Sequence, residues 1–142
     1  MHRRAALALA AALLAAAAAG ACSGRGCPGQ GADPGVSFDL SLLPAANPRP
    51  WEVTACVDGV CSRRVLTEAE GAQVFVQHDA LGGDPVGVDL EVHDAAGVVV
   101  VDAHARVVPR EWAVNGEGCE PVVRRAWTAV DASGSLAEQP PP

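Results

Sequence analysis

The chain has 142 residues, a formal net charge of −7 and 49% hydrophobic residues, and its ten basic residues are all arginines. This length suits a single domain with a modest core. The acidic balance argues against binding to nucleic acid and against adsorption to anionic lipid surfaces.

The first 21 residues have the pattern of a secretory signal peptide. Arg3 and Arg4 precede a run of fifteen apolar residues from Ala5 to Ala19. This run is too short for a membrane-spanning helix, which needs about 20 apolar residues. We therefore predict that residues 1–21 are a signal peptide and that the remainder of the chain is exported.

Cys22 directly follows the small residues Ala19, Gly20 and Ala21. The arrangement resembles the lipobox of bacterial lipoproteins, in which the cysteine after the cleavage site is acylated, for example with palmitate. It departs from that motif at Ala19, where leucine is usual, and it also satisfies the A-x-A rule of ordinary secreted proteins. Because a cysteine stands directly after the cut, we expect lipidation at Cys22 and anchoring on the extracytoplasmic face of the cell membrane, with free secretion as the alternative.

Two segments of the exported chain lack apolar periodicity. Residues 22–35, CSGRGCPGQGADPG, are rich in glycine and proline and predict a lipidated, flexible tether. Residues 137–142, AEQPPP, predict a disordered tail. The folded domain is therefore expected to span residues 36–136.

Short runs with β-character, bounded by turn residues, fill this domain. Helical periodicity is missing from it, and TEAEG (67–71) would form one turn at most. The pattern predicts an all-β fold, an immunoglobulin-like antiparallel β-sandwich of about seven strands. The predicted runs are 36–43, 51–57, 60–66, 72–79, the two arms of 86–108, and 122–131.

The segment 86–108 predicts a long hairpin with one apolar face and one wet face. With the dipeptide AA at its tip, Leu90 would lie opposite Val101, and every rung would pair apolar with apolar. The same register places Asp89 opposite Asp102. Two facing carboxylates repel, and a cation could relieve the repulsion, although solvated aspartates are the simpler interpretation.

The stretch CVDGVC (56–61) predicts a disulfide within a tight hairpin. Asp-Gly favours a two-residue type I′ turn, which places Cys56 directly opposite Cys61 with Cα atoms roughly 4.5–5.5 Å apart. That distance lies within the disulfide range. Cys27 and Cys119 would then pair with each other. The C-x4-C spacing has no second pair beside it and no C-x-x-C motif, which argues against zinc and redox roles.

No catalytic constellation is evident in the exported part. Its histidines, His78, His93 and His104, lie at predicted strand ends or on the wet face of the long hairpin, where polar residues are ordinary. The serines match no nucleophile motif, and no glycine-rich loop opens a helix. We therefore expect a non-enzymatic protein with no catalytic residue, no cofactor and no metal site.

The best candidate for a partner contact is Trp112, in a predicted long loop over 107–121. Arg110 and Glu111 lie beside it. An exposed tryptophan next to charged residues could anchor an unknown partner in the cell envelope.

Three stretches, WEVTACVDGVCSRRV, HDAAGVVVVDAHARV and NGEGCEPVVRRAWTAVDASGSL, carry a resemblance that covers most of the exported chain. They resemble uncharacterised small secreted lipoproteins of GC-rich Gram-positive bacteria, which combine a lipobox with a compact β-sandwich. The resemblance implies the location and an immunoglobulin-like sandwich but no activity. The first hypothesis is a membrane-tethered binding or structural module. The alternative is capture of a metal or small molecule through His and Asp on the wet face of the long hairpin.

Overall fold

A computed structural model describes residues 26–43 and 46–142; the predicted signal peptide and Cys22 lie outside these residues. The described chain forms a nearly all-β fold with one short 3-10 turn at Glu68–Glu70. The strands are β1 (Gly35–Asp39), β2 (Trp51–Val57), β3 (Val60–Leu66), β4 (Gln73–Gln77), β5 (Val86–His93), β6 (Val99–Val107), β7 (Arg110–Ala113), β8 (Val122–Val130) and β9 (Leu136–Gln139).

The strands form two sheets. The first has the order β4-β1-β8-β7, with β9 also paired to β8, and the second has the order β3-β2-β5-β6. All pairings are antiparallel except that of β1 with β8. This confirms the predicted all-β sandwich, with nine strands in place of about seven.

The core lies between the two sheets and is filled by every second residue of the central strands, as the period of a β-strand requires. Phe38 and Val53, which are fully buried, come from opposite sheets. The first sheet contributes Val36, Phe38, Val74, Val76, Ala126, Thr128 and Val130, and the second contributes Trp51, Val53, Ala55, Val57, Val86, Val88, Leu90, Val92, Val101, Ala103 and Val107.

The cysteine hairpin has the predicted turn, pairing and disulfide, with its Cα atoms closer than the roughly 4.5–5.5 Å expected. Asp58 and Gly59 both adopt positive φ, 44° and 85°, as a type I′ turn requires. Cys56 lies opposite Cys61 and is bonded to it, with Cα atoms 4.0 Å apart. Asp58 fixes the turn against β5, because its carboxylate accepts the backbone N–H of Gly87 at 2.8 Å.

The long hairpin is confirmed, but the predicted register is wrong by two residues. Leu90 lies opposite Ala103 rather than Val101, and Asp89 lies opposite His104 rather than Asp102. The turn is longer than a two-residue tip because the Asp94 side chain accepts the backbone N–H groups of Ala96 and Val98. As far as Val92 the slip of two residues keeps the side chains on their predicted faces, so apolar patterning could not detect it. Beyond Val92 the register shifts again, and Val99, predicted on the apolar face, pairs with His93 and is 49% exposed.

Two strands lie where the sequence predicted none. The supposed loop 107–121 contains β7, which pairs with β8, so Trp112 is a strand residue. The predicted disordered tail, 137–142, contains three of the four residues of β9, which pair with β8 up to Gln139. Both are four residues long, and their polar or charged sequences carry little β-signal. These segments form strands because the edge of β8 offers them backbone hydrogen-bond partners, and not because their own residues favour β-structure.

The first predicted run is also shorter than expected. β1 ends at Asp39, whose side chain accepts the backbone N–H of Ser41 and turns the chain. Leu40 stays buried, but Leu42, expected on the same apolar face, is 61% exposed. The alternation of apolar and polar residues therefore continues to Leu42, although the strand itself ends at Asp39.

The described part of the predicted tether is attached to the domain rather than free. Cys27 is bonded to Cys119 as predicted, with Cα atoms 5.7 Å apart. The Asn115 side chain accepts the backbone N–H of Gln30 at 3.1 Å and donates to its carbonyl at 2.9 Å. Because β1 and β8 run parallel, the segments before them enter the sheet at the same end, which is why they meet.

The two disulfides indicate an oxidising, extracytoplasmic environment. Within residues 26–43 and 46–142, no helix is long and apolar enough to cross a membrane.

The two disulfides should differ in their contribution to stability. In the chain-entropy account, the bridge Cys27–Cys119, with a sequence separation of 92, stabilises by about 4–5 kcal/mol, and Cys56–Cys61, with a separation of 5, by about 2 kcal/mol. We expect the Cys27→Ser/Cys119→Ser double variant to lose more free energy of unfolding than the Cys56→Ser/Cys61→Ser variant. Guanidinium unfolding of both measures this, and equal losses would contradict it.

Candidate functional site

The outer face of the first sheet carries an unusual set of side chains. In β8 the residues alternate, so that Ala126 and Thr128 face the core while Arg125 and Trp127 face outward. β7 adds Trp112 to this face, and β4 adds Phe75. All four outward side chains are half-buried, although they lie on the solvent side of the sheet.

The guanidinium of Arg125 is held between two aromatic rings. Its Cζ lies 4.6 Å from the ring centroid of Phe75 and 4.6 Å from that of Trp112. Its Nε donates to the carbonyl oxygen of Asp33 at 2.8 Å. Cation–π stacking of this kind contributes about 0.5–2 kcal/mol per ring, depending on desolvation. The arrangement ties β8 to β4, to β7 and to the segment before β1.

The charge of Arg125 has no partner of opposite sign in the described ranges, since the ion pairs found there involve other arginines. Burial lowers the pKa of Arg125, and the charge of Asp33 opposes this effect. An arginine remains protonated at any physiological pH. The outer face therefore keeps a fixed, partly desolvated cation between two aromatic rings.

Gly35 makes room for this stacking. It pairs with Arg125 in the parallel β1–β8 ladder. A Cβ at this position would lie 2.3 Å from the carbonyl oxygen of Val76 and 2.6 Å from the ring of Phe75. The ring of Phe75 therefore lies across the bare backbone of Gly35 and reaches Arg125 on the neighbouring strand.

Trp112 and Trp127 form the wall of an open groove. Their ring centroids are 5.7 Å apart and their planes meet at 84°, an edge-to-face pair. The groove has a volume of ≈ 670 Å³, within the range of roughly 300–1,000 Å³ found for ligand sites. Its lining comprises Ser37, Asp39, Ser41, Leu42, Gln73, Trp112, Arg125, Trp127, Thr128, Ala129, Gln139, Pro140 and Pro142.

The groove offers hydrogen-bond donors beside apolar surface. Trp51, a core residue, donates its indole N–H to the carbonyl of Asn47 at 3.1 Å. By contrast, no residue in the described ranges accepts the indole N–H of Trp112 or Trp127, and neither nitrogen is buried without a partner. As far as the described residues go, both donors are therefore open to solvent or to a ligand.

The structure places Arg110 and Trp112 on one face of β7 and Glu111 on the other. Trp112 lines the groove as described. Arg110 lies 3.5 Å from the carboxylate of Glu138 on β9. Glu111 pairs with Arg124 at 2.8 Å, and strand alternation places it on the opposite side of the sheet from its neighbour Trp112. Of the three, Trp112 is the residue that belongs to the site.

The wet face of the second sheet has a different character. His104 hydrogen bonds to Asp89 and lies 3.6 Å from Asp102, and His93 hydrogen bonds to Glu91 at 2.7 Å. These hydrogen bonds to Asp89 and to Glu91 raise the pKa of His104 and of His93, respectively. Over residues 26–43 and 46–142, no three or more His, Cys, Asp or Glu side chains are grouped to hold a metal ion.

His78 lies just after β4 and takes no part in either face. Its backbone N–H donates to the carbonyl of Pro34 at 3.0 Å. Its Nδ1 is buried without a hydrogen-bond partner among the described residues.

Comparisons with protein-family models, with curated proteins and with solved structures found no match.

Sequence reasoning identified Trp112 but missed Arg125, Trp127 and Phe75. A signal for two of them was present: in VVRRAWTAV, Arg125 and Trp127 occupy the positions that alternate with Ala126 and Thr128. Nothing in the sequence indicated that β4 and β7 flank this face, because strand order follows from the tertiary structure.

Replacement of Gly35 tests whether its missing side chain allows Phe75 to stack on Arg125. Because the nearest obstacle to a Cβ is a backbone carbonyl, Gly35→Ala should cost about 1–3 kcal/mol of unfolding free energy, as overpacking does. It should also displace the ring of Phe75 from Arg125. Gly29→Ala is the matched control, since a Cβ there meets nothing within 4 Å. Equal stability of the two variants in urea unfolding would contradict this prediction.

The histidines of the second sheet predict a pH dependence of stability. A folded-state pKa above the ordinary value of about 6.5 stabilises the protein below that value. This contribution is lost as pH rises through the folded pKa. We expect the contribution of His93 and His104 to fall as pH rises above about 6.5, and the His93→Gln/His104→Gln variant to show a flatter profile. NMR titration of the ring protons gives the pKa values directly, and values at or below 6.5 would refute the prediction.

Proposed function

We propose that this protein is a non-enzymatic binding module of the cell envelope, anchored by a lipid on Cys22, and that the groove of Trp112 and Trp127 is its binding surface. The observation that carries the proposal is the set of half-buried aromatic and cationic side chains on a face that a sandwich of this kind would ordinarily fill with polar residues.

The composition of the groove supports recognition of a partner. Tryptophan and arginine are the residues most enriched at binding hot spots. Here they are held in position before a ligand arrives, because Arg125 is fixed by two rings and by the carbonyl of Asp33. A preorganised side chain loses little conformational entropy on binding, which favours affinity.

Two features support a location on the outer face of the cell membrane. The two disulfides indicate an oxidising compartment. The lipobox-like residues before Cys22 would direct acylation of Cys22, whose lipid would attach the domain to the membrane. From there, the domain would present its groove to soluble or wall-bound partners in the envelope rather than to the acidic lipid surface, which its own negative charge would repel.

Site-specific crosslinking tests this proposal. A photoreactive residue at Leu42, which is 61% exposed and lines the groove, should capture envelope components in cells that export the protein. Val65 is the matched control, since it is 51% exposed but lies on β3, an edge strand of the other sheet. We expect several-fold more product from Leu42 than from Val65.

A further substitution shows whether the tryptophan carries the binding. Trp112→Ala should reduce the Leu42 crosslink by about 30-fold, the effect of losing a hot-spot residue worth about 2 kcal/mol. The circular dichroism spectrum and the unfolding midpoint control for the fold. Equal crosslinking from Leu42 and Val65, or a yield insensitive to Trp112→Ala in a folded variant, would refute the assignment of the groove.

A further inference from the structure

The course of the chain after β9 points to the ligand class. Residues of β9 pair with the second half of β8, from Val130 back to Trp127, and residues of β7 pair with its first half, from Arg125 back to Val122. The two short strands thus share one edge of β8 and meet near Ala126. β7 occupies the place where β9 would continue, so the chain must leave the sheet after Gln139.

The segment that leaves the sheet is made of prolines. Pro140 and Pro142 line the same groove as Trp112 and Trp127. Proline fixes φ near −65° and biases the residue before it towards extended backbone. Consecutive prolines therefore favour the polyproline II conformation, which has no internal hydrogen bonds and leaves its carbonyl oxygens open as acceptors.

The groove has the features that recognise such a segment. Known polyproline II sites are grooves lined with aromatic side chains, against which proline rings pack. Here the aromatic wall is the Trp112–Trp127 pair. Among residues 26–43 and 46–142, the indole N–H groups of Trp112 and Trp127 have no acceptor, and the guanidinium of Arg125 donates from Nε to Asp33 but has no carboxylate partner. These groups can donate to the carbonyls of a peptide.

We propose that the groove binds proline-rich segments in the polyproline II conformation, and that residues 139–142 of the chain itself, which are exposed and of which Gln139, Pro140 and Pro142 line the groove, compete for it with a proline-rich partner. This inference rests on the proposed function and names the ligand class of the same site. The linkage of the segment to β9 gives it a high effective concentration at the groove, so it competes with an external ligand.

NMR of the full exported chain tests the inference with decaproline as the probe. The three tryptophans give three indole N–H signals. Decaproline should shift the signals of Trp112 and Trp127, whereas that of Trp51 should stay in place because its indole already donates to Asn47. A glycine-serine peptide of equal length is the control and should shift none of them.

A variant separates binding from occupancy by the chain's own prolines. Pro140→Ser/Pro142→Ser keeps β9 but removes the prolines from the groove. If residues 139–142 cover the groove about nine-tenths of the time, this variant should bind decaproline roughly tenfold more tightly than the parent chain. An unchanged affinity would overturn occupancy of the groove by the chain itself.

The remaining outcomes separate this inference from the proposed function. Failure of decaproline to shift either indole signal, in both the parent chain and the double variant, would overturn the ligand class. So would shifts caused by a soluble polysaccharide and not by decaproline. In either case, a Leu42 crosslink that depends on Trp112 would leave the groove as the binding surface, with a different ligand.

Discussion

The parallel pairing of β1 with β8 is the constraint on which most of this structure depends. It places the two strands at the centre of the first sheet, where β4 can add to one side and β7 and β9 to the other. Parallel strands enter a sheet from the same end, so the segments that precede them lie side by side. The bond between Cys27 and Cys119 and the hydrogen bonds of Asn115 to Gln30 follow from this arrangement.

The same pairing builds the site. It sets Gly35 beside Arg125, and the missing side chain of Gly35 lets Phe75 reach the guanidinium from β4. Trp112 closes over the guanidinium from β7. Arg125 therefore serves two purposes. It clamps three strands and the segment before β1 together, and it presents a fixed cation at the edge of the groove.

The two solvent-facing surfaces of the sandwich have different chemistry. The second sheet exposes His93 and His104, each hydrogen bonded to a carboxylate, and such exposed polar pairs contribute little beyond solubility and a pH response. The first sheet exposes aromatic rings and a cation without a paired carboxylate in the described ranges. Burial of such apolar surface by a partner is favourable, so the first sheet is the better candidate for a binding surface.

Much of the fold could be predicted from the sequence because it depends on local chemistry. Asp58-Gly59 determines a type I′ turn, and the turn alone brings Cys56 to Cys61. Alternation determines which residues of β5 and β6 face the core along most of the hairpin, but not at Val99, next to the register shift. The register itself was predicted wrongly, because Asp94 builds a longer turn and a slip of two residues leaves the alternation intact.

The site depended on contacts that no local pattern encodes. Gly35, Phe75, Trp112 and Arg125 are far apart in the chain, and strand order alone brings them together. The strands β7 and β9 form because β8 offers them an open edge, not because their sequences favour strands. The sequence thus determined turns, faces and disulfide partners, which follow from neighbouring residues. The tertiary structure alone determined which outward-facing side chains lie next to each other, because this depends on backbone pairing between strands that are distant in the sequence.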